Sequence, residues 1–134
     1  MKFVLDASVS VRWFIVSQQT PYSRMVLERA PVSRIFVPAI WPIEMAATLI
    51  REVIVDGSAL PQATAFLEVI ETFDISVAAM QNSMRAHFVS GGTHRLRPAD
   101  ATYVELALAL HLPLATEDKA MIAAAQRAGV PLLA

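Results

Sequence analysis

The chain has 134 residues, with 11 Lys and Arg against 12 Asp and Glu, giving a formal net charge of −1. That balance excludes a protein that grips nucleic acid through a broad cationic face, but not one that touches a few phosphates locally. Cysteine is absent, which excludes a disulfide framework, a zinc-thiolate centre and a thiol nucleophile.

Apolar residues make up 55% of the chain and charged residues 17%, against about 45–50% and about 25% in ordinary globular chains. The surface is short of charge, and the spare apolar area predicts contact with another subunit. No stretch free of Asp, Glu, Lys and Arg exceeds 11 residues, well under the ~18–20 a spanning helix needs. Asp6 breaks the opening apolar run before it reaches signal-peptide length. The expectation is a single soluble, cytoplasmic domain.

Short apolar runs alternate with helical periods, which is the grammar of an α/β fold with a central, mainly parallel sheet. Phe3-Val4-Leu5 reads as a strand covered on both faces, ended by Asp6. Thr20-Pro21 starts a helix, with a capping hydroxyl and a proline at the first helical position, running toward Pro31. Ile35-Phe36-Val37 is the next strand, closed by Pro38. From about Pro42 to Gly57 the pattern is helical and apolar almost all round. Its polar residues Thr48, Arg51, Glu52 and Asp56 form one narrow wet stripe, which predicts a helix buried in the core or in an interface. Pro61 opens another helix to about Thr72, Ile75–Val77 is a short apolar piece, and the following helix is expected to end near Gly91-Gly92. Pro98 begins a helix to about Leu110, Leu112–Thr116 is a strand, Asp118–Ala128 is a helix stopped by Gly129, and Val130–Leu133 is a last strand.

In an open parallel sheet the ligand crevice lies beyond the carboxyl ends of the strands. Four acids fall there. Asp6 follows the first strand, Glu44 is expected in the first turn of the helix after the second, Asp100 lies in the first turn of the helix opened by Pro98, and Asp118 follows the Leu114-Ala115 strand. Capping and the helix dipole alone account for acids at such places. Asp6 asks for more, because an acid abutting a buried strand is desolvated unless donors or a cation meet it. If the four converge, a divalent cation relieves their repulsion, and oxygen-only ligands favour Mg²⁺ or Mn²⁺ over zinc.

Val4-Leu5-Asp6-Ala7-Ser8, followed by Arg12-Trp13-Phe14, resembles the opening of a PIN-domain protein of the VapC toxin type. Pro42-Ile43-Glu44, Pro98-Ala99-Asp100-Ala101 with Tyr103, and Thr116-Glu117-Asp118 resemble the family's later acidic motifs, and Gly129-Val130-Pro131-Leu132 its ending. The resemblance implies one PIN domain over residues 1–134 with a three-layer α/β/α fold. It further implies a Mg²⁺-dependent endoribonuclease, a cognate VapB-type antitoxin, and a metal site made of Asp6, Glu44, Asp100 and Asp118 with Ser8 and Thr116 in support. In such a site a metal-activated water attacks the RNA phosphodiester, and no protein nucleophile is required. The chain departs from its relatives at Arg95-Leu96-Arg97-Pro98, where they often carry a more neutral segment.

Arg12, Arg95, Arg97 and Lys119 lie near the expected mouth in sequence and are candidates for flanking phosphates, or ordinary surface charge. His87, His94 and His111 show no paired spacing, which argues against acid–base catalysis by histidine. Trp13, Phe14 and Trp41 are expected in the core rather than stacked on bases, and Met45, Met80, Met84 and Met121 as core filler. An aspartyl-phosphate phosphohydrolase also places an Asp after its first strand, but Ser8 stands where that class has its second acid. A non-catalytic PIN-like interaction module is the other alternative, and the full acidic set argues against it. A homodimer is expected from the apolar excess.

Overall fold

The apolar run after Met1 forms β1 (Lys2–Leu5), and its Phe3, Val4 and Leu5 are fully buried, as a parallel strand covered on both faces must be. The computed structural model describes residues 1–80 and 83–134. Within them β1 is followed by α1 (Ala7–Phe14), α2 (Pro21–Arg29), β2 (Arg34–Pro38), α3 (Ile40–Val55), α4 (Leu60–Ile70) and β3 (Asp74–Ala78). Then come α5 (Met84–His94), α6 (Pro98–Leu110), β4 (Leu114–Ala115) and α7 (Lys119–Ala128). The four strands make one all-parallel sheet in the order β3-β2-β1-β4.

Right-handed crossovers fix the layers. Steps from β1 to β2 to β3 run in one direction and put α1–α4 on one face. The return from β3 to β4 puts α5 and α6 on the other, completing the three-layer α/β/α architecture expected from sequence. The direction of travel reverses between β1 and β4, where Leu5 pairs with Ala115 and the Asp6 amide donates to the Ala115 carbonyl at 3.0 Å. That switch point is where a parallel sheet opens a crevice, and Asp6 stands at it.

The core gathers the strand residues with Val9, Trp13 and Val26 and with Tyr103, Val104, Met121 and Ala125. Trp13 donates its Nε1 to the Ser23 carbonyl at 2.9 Å and Trp41 to Ser10 Oγ at 3.0 Å, so both indoles are satisfied inside the core. Phe14 packs on Phe66 with ring centroids 5.3 Å apart.

Several boundaries differ from the sequence reading, each for a physical reason. α3 begins at Ile40, so Glu44 lies in its second turn, not its first. The first amides of a helix need no intrahelical acceptor, so Pro42 sits inside that turn without opening it. The helix expected to stop at Gly91-Gly92 runs through both to His94, and Arg95 takes the left-handed position at φ 56°. Gly91 instead permits a close approach: a Cβ there would come within 3.0 Å of the Leu96 carbonyl. β4 is only two residues long, flanked by Pro113, which has no amide hydrogen, and by Thr116, whose hydroxyl is drawn to Asp6. The last strand is accordingly reduced to a single bridge between Leu114 and Leu132. α3 buries only Trp41, Met45 and Leu49 within the chain and leaves Ile43, Ile50, Ile54 and Val55 exposed. Met45 and Met121 are core, whereas Met84 is 86% exposed.

Candidate active site

Asp6 occupies the N-cap position of α1, yet its carboxylate makes no capping bond. It is only 4% exposed, and its Oδ2 accepts hydrogen bonds from Ser8 Oγ at 2.5 Å and Thr116 Oγ1 at 2.8 Å. Burial pushes its pKa up to about 6; the bonds from Ser8 and Thr116 pull the other way, and the nearby Glu44 charge adds to the rise. Ser8 comes from the first turn of α1 and Thr116 from the segment after β4, so the two chain segments of the switch point hold this carboxylate together.

Glu44 is held from the opposite layer. Tyr103, fully buried on α6, donates its hydroxyl to Glu44 Oε1 at 2.6 Å. Burial first, then the bond to Glu44, raises the Tyr103 pKa far above the ordinary phenol value, so the group is a permanent donor. Asp100 lies in the first turn of α6, and its Oδ2 meets Arg97 Nε at 3.2 Å. Asp118 caps α7, its Oδ1 accepting the Met121 amide at 2.9 Å.

All four carboxylates line one cavity of about 320 Å³, together with Ser8, Thr48, Arg51 and Arg97. Thr116 lies behind Asp6, outside the lining. A larger cleft, about 700 Å³, sits between α5 and α6 beside the ends of β2 and β3, and none of the four acids lines it.

Of the four cations proposed from sequence position, only Arg97 lines the acidic cavity. Arg12 instead ties α1 to its neighbours: its Nε lies 3.1 Å from both the Ser8 carbonyl and Glu117 Oε2, and its Nη1 donates to the Gln18 carbonyl at 3.2 Å. Glu117 also accepts the Thr20 hydroxyl. Arg95 caps α5 in the left-handed conformation, and Lys119 opens α7; both are exposed. Thr48 and Arg51, which the sequence pattern places on a solvated stripe, are cavity residues. The signal for them was the spacing from Glu44, four and seven residues on, which keeps all three on one helix face. No histidine lines the cavity; His94 is buried against Glu105, with Nε2 and Oε1 2.7 Å apart.

The donor chemistry fits a hard divalent cation. Glu44, Asp100 and Asp118 each commit one oxygen to the chain and keep the other without a protein partner among the described residues. Oxygen-only donors of this kind suit Mg²⁺ or Mn²⁺. Among the described residues, no three Asp, Glu or His side chains are drawn close enough to enclose one ion.

The fold has solved relatives. A crystal structure of PAE2754 from Pyrobaculum aerophilum superposes with a TM-score of 0.63 at 16% identity, covering 92% of this chain and 84% of that one. Among curated proteins, no sequence match is found. The PIN domain family model matches residues 3–127. The sheet order, the acids gathered at the switch point and that match over nearly the whole sequence agree, and the chain belongs to the PIN domain family.

Proposed function

We propose that this protein is a Mg²⁺- or Mn²⁺-dependent endoribonuclease, the toxin of a toxin–antitoxin pair, formed by a single domain over residues 1–134 and acting in the cytoplasm as a homodimer. PIN domains are generally nucleases that typically use divalent metal ions. The observation that carries the reading is the convergence of Asp6, Glu44, Asp100 and Asp118 on one cavity from four separate stretches of chain. Capping accounts for one oxygen of Asp118, but capping alone does not gather four acids at one site. Among the described residues, Asp100 alone of the four is paired with a cation, and three of the four hold an oxygen open.

Asp6, Glu44, Asp100 and Asp118 would hold the cation, which when bound supplies Lewis-acid stabilisation and an acidified water. Ser8 and Thr116 fix the Asp6 carboxylate, and Tyr103 fixes Glu44 through one oxygen so that the other points elsewhere. Closing the set on an ion takes side-chain rotation. In this reading water, not the RNA 2′-hydroxyl, is the nucleophile, so hydrolysis should leave a 5′-phosphate and a 3′-hydroxyl. Against the phosphohydrolase alternative stands Ser8, which occupies the place of that class's second acid and here donates to Asp6.

The cognate antitoxin, of VapB type, would cover exposed apolar residues such as Ile43, Ile50 and Ile54 of α3 and bring an arginine to the acids. The Arg97–Asp100 pair illustrates how a guanidinium meets one of them. The test is RNA hydrolysis in Mg²⁺ or Mn²⁺. Activity should vanish with a chelator and in Asp6→Asn, whose circular dichroism should match the wild type. Undiminished cleavage by the folded variant would reject the role given to Asp6.

A further inference from the structure

We infer that Arg51 positions the RNA strand by holding a phosphate that flanks the scissile one. This rests on the nuclease reading above and assigns a residue that neither the acidic motifs nor the sequence position of the cations points to. Three observations carry it. Arg51 lines the acidic cavity, on the same face of α3 as Glu44 and Thr48. Seven residues of helix set its Cα roughly 10 Å along the axis from that of Glu44, which suits a phosphate beside the reacting one. Among the described residues, Arg51 has no hydrogen bond or ion pair, while Arg97, the other cation lining the cavity, is paired with Asp100.

The charge balance agrees. Four carboxylates against two guanidiniums leave the cavity at minus two, and one divalent cation cancels that. A polyanion entering a neutral site still needs a free donor to fix its register. Arg51 has five N–H donors, none committed to a carboxylate, and a guanidinium grips a phosphate in bidentate fashion. Thr48, between Glu44 and Arg51 on the same face, offers a hydroxyl whose hydrogen bond now goes to the Glu44 carbonyl at 3.2 Å.

The test compares the full-length wild type with Arg51→Gln and Arg51→Lys in steady-state cleavage of a single-stranded RNA in Mg²⁺ at several salt concentrations. Mn²⁺ affinity is measured in parallel by calorimetry. Arg51→Gln should raise KM about tenfold, the size of one charge-assisted contact, with a smaller change in kcat. It should lower the salt slope by roughly 0.7, the value of one single-strand phosphate, and leave Mn²⁺ affinity unchanged. Arg51→Lys, which keeps the charge but loses the fork, should recover part of the KM. Arg24→Gln, an exposed cation on α2, should behave as wild type. Unchanged KM and salt slope in Arg51→Gln, with the wild type active, would overturn the assignment and leave the nuclease reading intact. A wild type inert toward RNA would overturn both.

Discussion

At the scale of single residues, Asp6 sets a measurable pH dependence. Its pKa is raised by burial from 3.8 to about 6, so the folded state favours the protonated acid. The stability this contributes is fully present below about pH 4 and is lost as pH rises through 6. Asp6→Asn keeps the shape without the charge, so it should match the wild type near pH 4 and exceed it above pH 6, by up to about 3 kcal/mol. Denaturant melts at pH 4 and pH 8 check this, and a variant no more stable than wild type at pH 8 would contradict it. The need of Asp6 for partners was legible from an acid set against a buried strand. The hydroxyl of Tyr103 on Glu44 was not, because that contact joins positions 59 residues apart and depends on how two layers meet. Tyr103→Phe should cut cleavage several-fold by releasing Glu44 while lowering stability by about 1.5–3 kcal/mol, the size of one hydrogen bond to a carboxylate. Paired kinetics and melts would show the split, and a loss of stability without loss of rate would refute a positioning role.

Among the elements, α5 shows what sequence patterns miss. Adjacent glycines read as a stop, yet the helix continues, and the two differ in surroundings rather than in propensity. Nothing lies within 4 Å of a Cβ at Gly92, whereas one at Gly91 would press on the Leu96 carbonyl and Pro98. Gly92→Ala should therefore stabilise the protein by about 0.5–1 kcal/mol, the helix-propensity gain. Gly91→Ala should forfeit that gain by displacing the Leu96–Pro98 segment that leads into Arg97 and Asp100. Equal stabilisation by both in urea titrations would show that the close approach is not needed. The same distinction explains α3. Its helical period was plain, and Arg51 is exposed as the wet stripe predicts; that Arg51 and the half-buried Thr48 also border the site depends on how α3 sits on the sheet, which no helical period reveals.

On the scale of the whole molecule, the alternation of apolar strands with helical periods was enough to give a parallel sheet. Given the order β3-β2-β1-β4, the handedness of the crossovers sets which face each helix covers and puts the crevice at the switch between β1 and β4. The composition also pointed to spare apolar surface, and the fold shows where it lies: Ile50 and Ile54 on α3, Leu60 and Leu67 on α4, and Met84 and Phe88 on α5 all stand exposed. Apolar excess carries no address, so the sequence left the face of contact open. Sedimentation velocity at micromolar concentration should show a dimer. A monomeric wild type would contradict the homodimer. The claim that the acidic cavity is a metal-dependent hydrolytic centre is tested most directly by mass spectrometry of the RNA ends formed with and without Mg²⁺. Fragments with 5′-phosphate and 3′-hydroxyl ends, formed only with the metal, are the result this account predicts; 2′,3′-cyclic phosphates formed equally well in chelator would contradict it.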